Sequence, residues 1–107
     1  IINFIHICRA ILDKSAELSW KELLSFAQER FSVKTITPAD MFYNEKLFIV
    51  GLIYKNCGQW GNAKALFEKS SEYQPSRSFL QGVEDDIRRM HFPQLIEYVV
   101  DNLFYYE

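Results

Sequence analysis

Three groupings of residues in this chain have types that could do chemistry. His6 and Cys8 offer an imidazole and a thiol one residue apart, donors of the kind a zinc site uses. The only other His and Cys are His91 and Cys57, so a full ligand set would need distant segments to converge. The expectation is that His6 and Cys8 lie on, or beside, the buried face of a helix and hold no metal. Glu84-Asp85-Asp86 gathers carboxylates that could serve as acid and base. Arg88 and Arg89 follow at helical spacing, which reads as a solvated helix start instead. Gly58-Gln59-Trp60-Gly61 lacks the Lys-Ser/Thr ending of a phosphate loop and follows no strand. No Ser stands in a nucleophile elbow. The residues point away from an enzyme and from any cofactor.

The elements that would position such groups are helical. Phe4, Ile5, Cys8, Ile11 and Leu12 keep the rhythm of one helix face. Ser19-Trp20-Lys21-Glu22 is a capping box that starts a second helix, with Leu23, Leu24, Ala27 and Phe31 as its apolar stripe. Thr37-Pro38-Ala39-Asp40 predicts the start of a third helix, running to about Cys57, where Gly58 suits the left-handed residue that ends it. A fourth is expected near residues 60–73, closed by Pro75. Ser78 and Gln81 form a further capping box, predicting a fifth helix through Val83, Ile87 and Met90. Pro93 seeds a sixth, with Leu95, Ile96, Val99, Val100, Leu103 and Phe104 on its apolar face. Residues 32–36 hold the only strand-like pattern, and a connection suits them better. The fold class is all-α: about six helices in three antiparallel pairs, since short connections set neighbours antiparallel.

The totals fit one domain across residues 1–107. With 49% hydrophobic and 16% aromatic residues, the chain can bury a core. A formal charge of -2 gives no footprint for nucleic acid or an anionic membrane. The apolar stretch around Gly51 is too short to cross a bilayer. Cys8 and Cys57 are expected as two free thiols, which favours an intracellular home, cytoplasmic or nuclear; a single bridge between them is the alternative. A chain opening Ile-Ile is expected to be a piece of a longer protein.

Between Gly51 and Pro75, small and aromatic residues recur at fixed intervals: Gly51, Tyr54, Gly58, Trp60, Ala63, Phe67 and Pro75. Over residues 44–77 this resembles one tetratricopeptide repeat. On that reading Gly51 and Ala63 let two helices approach closely, with Tyr54, Trp60 and Phe67 filling the space around the contact. Gly58 permits the reversal, and Pro75 ends the unit. One repeat length away in either direction the small positions become Glu17, Glu29, Asp85 and Glu97, so no second copy is in phase. Ala27 and Phe31 keep the later-helix interval, so residues 3–41 resemble a degenerate repeat. A superhelical array and a compact bundle containing one repeat both remain open.

The resemblance implies that Glu45, Phe48, Ile49, Leu52, Lys55 and Asn56 face a groove. Relatives that clamp the carboxylate tails of chaperones place Lys, Arg and Asn centrally, where this chain has Phe48, Ile49 and Leu52. That argues against a carboxylate clamp. The helix is instead apolar nearly all round, and such a helix is covered on more than one side. The cover is either another helix of this chain or an apolar segment of a partner. The implied function is non-catalytic: a protein-interaction scaffold binding a protein or peptide. A structural or oligomerisation segment is the alternative, with Phe104, Tyr105 and Tyr106 as a possible self-association edge. An RNA-binding helical repeat is the third reading, disfavoured by the charge.

Overall fold

In the computed structural model, residues 1–82 and 84–103 are described, and every regular element among them is helical. The expected edge at Phe104, Tyr105 and Tyr106 lies outside the described residues. Seven α-helices follow in order: α1 Ile2–Ser15, α2 Trp20–Arg30, α3 Tyr43–Asn56, α4 Trp60–Lys69, α5 Gln74–Leu80, α6 Asp86–Arg89 and α7 Phe92–Asp101. A 3-10 turn, Val33–Thr35, occupies the segment that reads weakly as strand.

The first two helices follow the sequence closely. Phe4, Cys8 and Ile11 are the buried stripe of α1. The Ser19–Glu22 capping box is made in full: the Glu22 N–H donates to Ser19 Oγ and the Ser19 N–H to Glu22 Oε1, each at 3.2 Å. Leu23, Leu24 and Ala27 then turn inward.

The third helix starts later than Thr37 predicts. Residues 37–40 close a turn, with the Asp40 N–H donating to the Thr37 carbonyl at 2.9 Å. The Asp40 carboxylate accepts from the Phe42 N–H at 2.8 Å and from Lys46 Nζ at 2.9 Å. A short acidic side chain bonded to backbone two residues on makes a turn in place of a first helical turn. α3 begins at Tyr43 and is enclosed through its middle: Glu45 and every residue from Leu47 to Ile53 are buried. It packs against α2, α4 and α7.

The chain leaves α3 through a Schellman motif. Gly58 adopts φ +79°, the Gln59 N–H reaches the Tyr54 carbonyl at 2.9 Å, and the Gly58 N–H the Lys55 carbonyl at 3.0 Å. The reversal brings α4 back along α3, the most extensive helix contact in the molecule. Ala63 is fully buried in that seam. Gly51 does a different job from the one its type suggests. A methyl there would lie 2.7 Å from Phe67 Cε1, and its three nearest neighbours would all be atoms of that ring, not of Ala63. Gly51 makes room for Phe67. Trp60 is tilted against Phe67 at 6.1 Å but stays 44% exposed, so it borders the seam without filling it.

Two further expectations are corrected. Pro75 does not close α4, which ends at Lys69; it sits in the first turn of α5, where a missing N–H costs nothing. The single helix expected from Ser78 through Met90 is broken, because α5 already contains Ser78 and Gly82 turns left-handed at φ +56°. The chain restarts as the one-turn α6 and then, across Met90 and His91, as α7. Leu95, Ile96 and Val99 of α7 are buried, and α7 lies against both α1 and α3. Contact between the first and last helices closes the molecule into a bundle; in an open array each unit touches only its neighbours.

Ser70 stands where the repeat pattern favours Ala, and it is wholly buried with Ser76. Its hydroxyl donates to the Leu66 carbonyl at 2.8 Å, which spends its one proton. Ser76 therefore donates to Ser70 Oγ, 2.7 Å away. Ser70→Ala should cost about 1–3 kcal/mol by stranding the Ser76 hydroxyl. Adding Ser76→Ala should recover most of that loss in urea denaturation, whereas additive losses would show that the pair is not coupled.

Candidate functional site

The six groove positions scatter into three environments. Phe48 and Ile49 are fully enclosed and Leu52 is 2% exposed. Phe48 is ringed by Phe67, Tyr73 and Phe79 at centroid distances of 5.9, 5.5 and 5.9 Å. The cover for this face therefore comes from the chain itself, and Phe48 and Ile49 offer no surface to a partner. Glu45 is buried at the other end of α3. Lys55 and Asn56 are exposed, on its last turn.

Lys55, Asn56 and the edge of Leu52 open onto a cavity of about 420 Å³. Its other walls are Trp20 at the start of α2, Phe79 on α5, Arg88 on α6, and Met90, His91, Phe92 and Leu95 leading into α7. Trp20 meets Phe92 edge-on at 5.1 Å and remains 37% exposed. Lys55 Nζ lies 5.7 Å from the centre of the Phe79 ring, an ammonium over an aromatic face. The lining mixes these aromatic and aliphatic walls with the polar groups of Lys55, Asn56, Arg88 and His91. Of the six positions expected to face a groove, Leu52, Lys55 and Asn56 line this cleft; its remaining walls are residues the sequence does not single out for a groove. No motif marks them; only the return of α7 onto α3 brings them together.

Glu45 has a different character. Burial pushes its carboxyl above the ordinary 4.5, its own N–H works the other way, and the Asp40 carboxylate adds to the rise. The Lys46 ammonium is paired with Asp40. At Asp40 partial burial works upward but is outweighed by the Lys46 and Phe42 hydrogen bonds, so its carboxyl sits below the usual range. Cys8 feels the same surroundings. Burial and then Glu45 push its thiol up to about 12, despite Lys46, which leaves it protonated and inert.

The other candidate groups lie apart from this cleft. Cys8 and Cys57 are both free thiols. His6 is exposed while Cys8 is buried, so the two do not converge. Among the described residues no three His, Cys, Asp or Glu side chains gather as a metal would need. Asp85 caps α6 by accepting from the Arg88 N–H at 2.9 Å; that bond, and then one from the Ser78 hydroxyl, hold its carboxyl low. Arg89 lies 3.7 Å from Glu84 and 3.5 Å from Asp86. The acidic run is a helix start with its charges answered. Among the described residues no helix is long and apolar enough to cross a membrane.

Comparison of the chain with protein-family models, with curated proteins and with solved structures finds no match.

Glu45 yields a pH test. Its proton is held more tightly in the folded chain, so stability drains as pH rises from the ordinary 4.5 through the raised value. Glu45→Gln copies the protonated form. It should raise the melting temperature near neutral pH, with the gain vanishing in acid below that ordinary value. A loss of stability near neutral pH would show that the carboxylate is instead satisfied.

Proposed function

We propose that this chain is a non-catalytic protein-interaction domain, built around one hairpin of tetratricopeptide-repeat type, and that its contact surface is the cleft at the C-terminal end of α3. What carries the reading is the placement of that cleft. Four elements, α2, α3, α5 and α7, each contribute an aromatic or aliphatic wall, and exposed polar groups ring the opening. A rigid concave surface of this composition loses little ordering entropy on binding. Half-exposed aromatic residues such as Trp20 are the kind that carry binding energy at interfaces. The tight α3–α4 hairpin, turned at Gly58, supports the repeat assignment. The free state of both cysteines suits an intracellular setting.

A structural or self-association role is the second reading. It is favoured by a different place, where Ile1 and Met41 line one shallow depression and are 48 and 80% exposed.

Two measurements separate them. Light scattering over a range of concentrations should report a monomer; a dimer that forms with rising concentration and is lost in Met41→Ser would favour the second reading. Peptides selected from a random display library on the intact chain should shift the amide and indole NMR signals of Trp20. Trp20→Ala should weaken them at least about tenfold with little change in melting temperature, since the side chain is partly solvated. Failure to select any peptide would overturn the interaction reading.

A further inference from the structure

The charge around the cleft has one sign. Among the described residues its lining includes the cations Lys55 and Arg88 and no Asp or Glu. That bias runs against the whole chain, whose formal charge is -2. The carboxylates of the run just before Arg88 have other partners. Glu84 and Asp86 pair with Arg89, while Asp85 accepts from the Arg88 N–H and the Ser78 hydroxyl. Asp85 feels the Arg88 charge, but among the described residues neither the Arg88 guanidinium nor the Lys55 ammonium is within ion-pair distance of a carboxylate. Lys55 lies instead over the Phe79 ring. Two cations from separate helices thus line the cleft beside Trp20 and the edges of Phe79, Phe92 and Leu52.

Resting on the interaction reading above, we propose that the occupant of this cleft is an acidic peptide segment carrying a bulky apolar residue. The apolar side chain seats against Trp20, Phe79 and Phe92, and flanking Asp or Glu side chains meet Lys55 and Arg88. Specificity follows from the rim: a basic segment with the same anchor places like charges against Lys55 and Arg88. The arrangement differs from a clamp on a terminal carboxylate within a repeat groove. Arg88 and His91 lie beyond the stretch that resembles the repeat, and the central groove positions Phe48 and Ile49 are sealed in the core.

The test uses the intact chain and three fluorescein-labelled probes: Glu-Glu-Leu-Phe-Glu-Glu, its twin Lys-Lys-Leu-Phe-Lys-Lys, and Glu-Glu-Ser-Ser-Glu-Glu. The first should bind at least about tenfold more tightly than either of the others by fluorescence anisotropy. Its affinity should fall as salt is added, because the rim charges are solvated. Lys55→Glu with Arg88→Glu should reverse the preference between the first two probes, and Lys55→Gln with Arg88→Gln should flatten it, with melting temperatures near wild type in both. Equal binding of the acidic and basic probes overturns the proposal, as does tighter binding of a labelled oligonucleotide than of the first probe. Display-selected peptides that are neutral or basic yet still perturb Trp20 overturn this inference while the interaction reading survives. Absence of any selected peptide overturns both.

Discussion

The ring of Phe67 fills the room that Gly51 leaves on α3, and much of the molecule is arranged around that contact. Phe67 is wholly buried, 5.4 Å from Phe79, 5.9 Å from Phe48 and 6.1 Å from Trp60. These rings come from α3, α4 and α5, so one glycine lets three helices share an aromatic cluster. Aromatic pairs at such separations add about 0.5–1.5 kcal/mol each beyond the area they bury. The Schellman turn at Gly58 sets α4 at the depth where its ring reaches that position.

A consequence is where the molecule can and cannot touch a partner. Once Phe67, Phe79 and Tyr73 close over Phe48, the middle of α3 is core. The returning α7 lies on α3 as well. The last turn of α3 emerges beside Trp20, Phe92 and Arg88. The apolar character of α3 and the location of the cleft thus have one cause: helices before and after the hairpin fold back to bury a rod that could not stay in water. The opposite end of the rod holds the cost of that burial in Glu45, a carboxyl enclosed with the Asp40 carboxylate acting on it.

Much of this was legible in the residues. The all-helical class, the Ser19 cap, the Gly58 reversal and the final helix at Pro93 follow from local chemistry that tertiary structure does not override. The misreadings have a shared reason. Thr37-Pro38-Ala39-Asp40 has helix-start residues, yet the Asp40 side chain satisfies a turn and a lysine six residues on. Pro75 and Ser78 carry signals that suit either the end of one element or the start of another; which one applies depends on Gly82 and on packing across the bundle. Glycine at 51 shows that something approaches closely, but not that it is a ring four residues beyond Ala63. The cleft was half visible, through Leu52, Lys55 and Asn56. Its other walls come from residues far off in sequence, which no spacing rule connects.

A double-mutant cycle at Gly51 and Phe67, followed by chemical denaturation, tests the central contact. In the native background Gly51→Ala should destabilise the fold. Its methyl must displace a ring hemmed in on several sides, costing about 1–3 kcal/mol, which offsets the roughly 1 kcal/mol that Ala gains over Gly in a helix. With Phe67→Leu in place the obstruction is gone, and Gly51→Ala should become neutral or stabilising. Stabilisation by Gly51→Ala with Phe67 intact would contradict the account, since it would mean that no ring lies against the glycine.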